Sequence, residues 1–225
     1  MNWRLSSLDR YALISNSDAH SAKRIGREAN VFNCALDYDE IVTALKIKDR
    51  TKFLSTLEFF PEEGKYHYDG HRTCGIRWSP NETKQHGLRC PVCGRKVTIG
   101  VMHRVEALAD RPEGEQPAGA APFQHLVSLD KIIADALGVG VDTQAVERDY
   151  FKLIDQCGTE FEVLLKTPEE TLRRLTSARI VEGILRMRRG EVSIEAGYDG
   201  EYGTVKIFTE ADAAPASAEH QMTLF

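Results

Sequence analysis

Four residues in this sequence have the types and spacing to hold a metal ion: His71, Cys74, Cys90 and Cys93, in the pattern H-x2-C-x15-C-x2-C. Zinc takes four nitrogen or sulfur donors in a tetrahedron, and two short-spaced pairs can supply them by folding the intervening loop over the ion. The second pair lies in Arg89-Cys90-Pro91-Val92-Cys93-Gly94-Arg95. There proline fixes the approach, and glycine after the second cysteine lets backbone amides turn toward the sulfurs. His71 stands to Cys74 as Cys90 stands to Cys93, which favours it as the fourth donor, with His86 and His103 as alternatives. Packing of these cysteines as small apolar side chains fits poorly, because Cys90 and Cys93 sit among arginines, lysine and glycine.

The segment around these residues is basic. Lys65 to Arg104 carries eight Lys/Arg against Asp69 and Glu82, in a chain whose formal net charge is −5. With Tyr66, Tyr68 and Trp78 interleaved, it offers cations for phosphates and flat faces for unstacked bases. A zinc ribbon can equally be a structural staple with the tyrosines packing its small core. A second basic stretch, Lys166 to Gly190, has seven Lys/Arg against three glutamates. The order of helix, Gly158 turn and then short helices ending Arg179 to Ile184 resembles a helix-hairpin-helix unit, whose turn amides contact a phosphate.

A second candidate site is Asp18 with His20, in the loop Asn16-Ser17-Asp18-Ala19-His20. At the end of a buried strand, two residues separated by one point to the same side, so a carboxylate and an imidazole can converge on one metal.

The elements that must position these groups are predicted from periodicity and turn chemistry. Tyr11 to Ser15 and Phe53 to Phe60 read as strands, and Asp39 to Lys48 as a helix with Ile41, Val42, Ala44, Leu45 and Ile47 on one face. Asp110 to Pro122, rich in Pro, Gly and Ala, reads as a linker. Helices are expected at 129–137, 146–157, 160–165, 168–175 and 178–189, the fourth opened by a Thr167 cap with Pro168 in the first turn. Val192 to Ile194 and Thr204 to Phe208 flank an Asp199-Gly200 turn, the signature of a hairpin. The fold class is mixed α+β. At 225 residues and 42% hydrophobic content the chain can bury a core, no apolar run approaches a membrane span, and five cysteines suit a reducing compartment. A cytoplasmic protein without membrane association is expected.

The Ser-Asp-Ala-His loop, Gly26 to Asn30 and the segment YDEIVTALKIKD resemble the C-terminal end of a PHP metallohydrolase domain. Leu57 to His71, the CPVC knuckle, Val97 to Glu106 and Gly197 to Gly203 together resemble endonuclease Q. The resemblance implies a PHP remnant over 1–60, a zinc finger over 61–109, the linker 110–122 and a helical region with its terminal hairpin over 123–209. It implies an enzyme that cuts DNA 5′ of deaminated bases such as uracil and hypoxanthine. It also implies Asp18 and His20 as metal-binding, catalytic positions for zinc, manganese or magnesium, beside the structural zinc of the finger. A PHP site needs further ligands, including an early His-x-His that these 225 residues lack, so the isolated chain is expected to be inactive as a nuclease. The alternative is a non-catalytic zinc-containing DNA-binding adaptor. Residues 210–225 read as a disordered tail ending Gln221-Met222-Thr223-Leu224-Phe225, which resembles the bacterial sliding-clamp-binding pentapeptide. Gln221, Met222, Leu224 and Phe225 would be its contacts.

Overall fold

Burial of alternating apolar positions organises the first half of the chain around a central strand. In the computed structural model, which describes residues 1–209 and Asp212, Phe53 and Leu57 are buried on β2 (Phe53–Glu58). Two short strands flank it: β1 (Ala29–Phe32), antiparallel with Ala29 opposite Leu57, and β5 (Phe123–His125), parallel with Thr56 opposite Phe123. Between β1 and β2 runs α1 (Tyr38–Lys46), begun by Asp37, whose carboxylate accepts from the Asp39 and Glu40 amides.

The segment from Pro61 to Leu108 is built of small pieces. The hairpin β3 (Asp69–His71) and β4 (Ile76–Trp78) is followed by α2 (Pro80–Gln85) and α3 (Val101–Leu108). Ser79 and Glu82 form a capping box on α2, with Pro80 in its first turn. Residues 109–122 are irregular but tied down: the Arg111 guanidinium pairs with Asp9 at 2.5 Å and donates to the Trp3 carbonyl at 2.6 Å.

Contacts divide the chain into two units, residues 1–127 with 194–205, and 128–193 with the segment from Lys206. The second is helical: α4 (Leu129–Leu137), α5 (Gln144–Cys157), a π-helical turn Glu162–Lys166, α6 (Glu169–Leu175) and α7 (Ala178–Arg189). Its core is fully buried and aliphatic, with Ile132, Ile133, Leu153, Leu164, Leu172, Ile180 and Ile184 at most 1% exposed. The strands β6 (Ser193–Glu195) and β7 (Thr204–Lys206) pair around the Asp199-Gly200 turn.

Two local expectations are corrected. Tyr11 to Ser15 is irregular, with Tyr11 and Ile14 each 52% exposed. Its end is held by a side chain instead of a neighbouring strand: Asn30 accepts from the Ser15 amide at 3.0 Å and donates to the Ser15 carbonyl at 2.7 Å. Thr167 does not cap α6; its hydroxyl donates backward to the Glu162 carbonyl at 2.9 Å, and the helix begins after Pro168. Of the tail expected over 210–225, all but Asp212, with Gln221 to Phe225, lies outside the described residues.

Candidate metal centre and cationic face

The β3–β4 hairpin and the CPVC turn present donors toward one point. The ligand atoms of His71, Cys74, Cys90 and Cys93 all lie within 4.8 Å of one another, and the Cys93 sulfur is 3.5 Å from His71 Nδ1. Each loop is closed the same way. Gly75 follows Cys74 and Gly94 follows Cys93, both left-handed with φ of 65° and 70°, a conformation that favours glycine. In the second loop the Cys90 amide donates to Arg95 and the Gly94 amide donates to Cys90, at 2.8 and 2.9 Å. Cys90 faces the finger's small core with Trp78 and Val97, while Cys93 is exposed.

The electrostatics of the cluster call for a cation. Burial and the neighbouring Cys93 and Cys90 thiols push the Cys74 thiol up to about 11. Burial also acts against ionisation of Cys90, but the Cys93 and Val92 amides, with His71, outweigh it and bring that thiol down to about 6. Three sulfurs this close do not all ionise without a positive charge among them. Three sulfurs and one imidazole nitrogen within 4.8 Å of one another fit the donor set of a metal ion.

The two other candidate histidines are engaged elsewhere. His103 Nδ1 lies 2.7 Å from Asp69, a fully buried carboxylate that also accepts from the Gly100 amide. His86 stacks on Trp78 with ring centroids 4.3 Å apart and planes 9° from parallel. In the sequence Asp69 shows only as an acid among cations, with no local pattern that pairs it with His103.

Asp18 and His20 are both exposed. The His20 ring lies with Nδ1 2.7 Å from the Asp18 carbonyl, and Asp18 itself is left-handed with φ of 46°. Among the described residues no third His, Cys, Asp or Glu joins them in a metal-sized group.

The two basic stretches differ. In and beside the donor loops Arg72, Arg89, Arg95 and Lys96 are exposed, as are Lys84 on α2 and Arg104 on α3, and Lys65 lies over the rings of Tyr66 and Tyr202, which are 45% and 74% exposed. In the helical unit the arginines are engaged within the protein. Arg173 pairs with Glu169 at 2.5 Å, Arg186 with Glu182 and Asp212, and Arg189 with Glu182 and Glu191. Arg188 donates to the carbonyls of Val163, Leu164 and Thr167. The turn at Gly158 is closed by a carboxylate: Glu162 accepts from the Thr159 amide at 3.0 Å, so that amide is already taken within the chain.

Residues 128–191 match the family described as the MJ0043 C-terminal domain. The chain is 32% identical over 200 residues to the uncharacterized protein MJ0043 of Methanocaldococcus jannaschii, covering 85% of this chain and 25% of that protein. It is 32% identical over 204 residues to the uncharacterized protein YqxK of Bacillus subtilis, covering 90% of this chain and 48% of the relative. Among solved structures it matches the lesion-specific endonuclease PfuEndoQ of Pyrococcus furiosus, with a TM-score of 0.82 and 27% identity, over 100% of this chain and 56% of that one. It also matches endonuclease Q in complex with a 27-mer duplex substrate carrying an abasic lesion at the active site, with a TM-score of 0.78 and 28% identity, over 96% and 54% of the two chains. The chain thus spans between a quarter and about half of the length of its relatives, and over that span it has an endonuclease Q-like fold.

Proposed function

We propose that these 225 residues are the C-terminal, DNA-gripping part of a DNA repair endonuclease that cuts 5′ of deaminated bases such as uracil and hypoxanthine. The supporting observation is the rim of exposed Arg and Lys around the metal loops, beside two exposed tyrosines, in a fold shared with an endonuclease solved on duplex DNA. In this reading a zinc ion held by His71, Cys74, Cys90 and Cys93 is structural, because protein donors fill all four positions and leave none for water or substrate. Loading it would fix the two loops whose cations meet phosphates and displace counterions. Tyr66 and Tyr202 offer ring faces to an unstacked base.

Asp18 and His20 would be two ligands of the catalytic zinc, manganese or magnesium of a PHP site. Two donors do not hold a catalytic metal, so the chain by itself binds DNA without cutting it. Gln221, Met222, Leu224 and Phe225 would dock on the sliding clamp. The domain reading that goes with this is a PHP end over 1–60, the finger over 61–109, the connecting segment 110–122 and the helical region over 123–209.

The test is anisotropy with uracil-, hypoxanthine- and undamaged duplexes across a salt series, with nicking followed in parallel. Binding that weakens with salt is expected, with the log–log slope falling by about 1–2 when Arg95 and Lys96 are both changed to Glu. Absence of binding at low ionic strength refutes the gripping role, and lesion-dependent nicking lost in Asp18→Ala refutes the inactivity of the isolated chain. A peptide of residues 217–225 titrated against the clamp tests docking; indistinguishable behaviour of its Leu224→Ala, Phe225→Ala variant refutes it.

A further inference from the structure

The turn between β6 and β7 reaches back onto the metal loops. Tyr198 and Glu201 exchange both backbone hydrogen bonds, at 3.0 and 2.8 Å, and the two residues between them are left-handed, Asp199 at φ 44° and Gly200 at φ 88°. That is the geometry of a two-residue hairpin loop with both central residues at positive φ, for which Asp-Gly is a preferred sequence. The loop is anchored where it lies: the Gly200 amide donates to Lys65, and the Tyr68 amide donates to Gly197, each at 2.9 Å. Gly70, next to His71, leaves room for it, since a Cβ there would lie 2.4 Å from the Tyr198 ring.

The Asp199 carboxylate divides its oxygens between the two donor loops. Oδ2 accepts from the Arg72 amide at 2.7 Å, inside the His71-to-Cys74 loop. Oδ1 accepts from the Thr98 hydroxyl at 2.5 Å. Thr98 follows the CPVC loop and pairs by both backbone groups with Gly70, at 2.8 and 2.9 Å. One carboxylate therefore fixes the backbone beside the first donor pair to the chain leaving the second.

We propose that Asp199 is a positioning residue for the metal centre: it holds the two donor loops in register, so zinc affinity depends on a turn more than a hundred residues downstream, and zinc in turn orders that turn. The dependence runs both ways because a coupling free energy is reciprocal. Partners that orient metal-binding groups typically contribute 10- to 100-fold in affinity. The inference rests on the four donors holding zinc, and the experiment separates the two failures.

Zinc affinity of the full chain is measured by chelator competition for the wild type, Asp199→Gly and Asp199→Asn, with cobalt absorption as a readout of the donor set. Asp199→Gly keeps the left-handed turn and removes both acceptors, while Asp199→Asn keeps the turn and one oxygen. Expected are one equivalent of metal and an unchanged cobalt spectrum in all three. Affinity should fall about 10- to 100-fold in the glycine variant and by less in the asparagine variant. Hydrogen exchange on the wild type, with and without zinc, provides the second measurement, and the amides of Arg72 and 198–201 should gain protection on loading. Equal affinity of wild type and Asp199→Gly, or exchange at 198–201 indifferent to zinc, overturns the positioning role. A wild-type chain that takes up no zinc overturns the metal site itself.

Discussion

Cys90 combines two roles that are usually separate: it is 1% exposed in the finger's core, yet its thiol is drawn down to about 6 by the amides of its own turn. A cysteine that merely packs has no such amides aimed at it. Replacing Cys90 and Cys93 together by Ser should therefore reduce bound zinc from about one equivalent to none, while Cys34→Ser and Cys157→Ser leave it unchanged, as metal analysis of purified protein would read. His125 supplies a second residue-scale prediction. It packs between Phe60 and Phe123, with centroids 4.7 and 5.0 Å away, and burial lowers its pKa against the opposing pull of Glu62 and Glu58. Because the folded pKa is depressed, the unfolded chain takes up the proton first as pH falls below about 6.5. The stability that neutral His125 provides is thus complete above that pH and lost as pH falls toward the folded value. His125→Phe keeps the ring packing and removes the titrating group, so in urea melts it should lose less stability than wild type as the pH is lowered from about 7.5 to about 5.5.

At the scale of elements, the helices were legible and the uses of their charges were not. Predicted spans of 129–137 and 178–189 coincide with α4 and α7, because each carries an aliphatic stripe at helical spacing and ends at a left-handed glycine, Gly138 or Gly190. The arginines on α6 and α7 read as one basic face, yet they serve different ends. Arg188 is sunk against three carbonyls, at 2.7 to 2.9 Å, whereas Arg173 makes an exposed pair within its own helix. Arg188→Ala should cost the helical unit about 2–4 kcal/mol, by orphaning buried carbonyls. Arg173→Ala should cost under about 0.5 kcal/mol. Urea denaturation followed by circular dichroism separates them. The misread strand at Tyr11–Ser15 has the opposite cause: a short apolar run becomes a strand only when another strand pairs with it, and here the Asn30 amide takes that place.

At the scale of the whole molecule, the chain divides into a unit that carries the four-donor cluster and a unit stabilised by an aliphatic core. Residues 61–108 bury few large side chains, chiefly Trp78 and Val97 beside Cys90, so an ion held by the four donors would supply what apolar area does not. Unit 128–193 needs no such help. A tight zinc chelator should abolish hydrogen-exchange protection at 69–98 while leaving 129–189 protected as before; equal loss in both regions would refute this division. No helix among the described residues is long and apolar enough to cross a membrane.

The sequence by itself determined what is local. Two donor pairs with a glycine after each, aliphatic stripes of period 3.6 and an Asp-Gly turn specify knuckles, helices and a hairpin, because each is set by residues within a few positions of one another. Tertiary structure decided what depends on partners far along the chain. It placed His71 with the cysteines by giving His103 to Asp69 and His86 to Trp78. It spent the α7 arginines on carboxylates and carbonyls, and it set Asp199 across both donor loops. Spacing tells which atoms can meet, but competition among all possible partners for each hydrogen bond is settled only when the chain has folded.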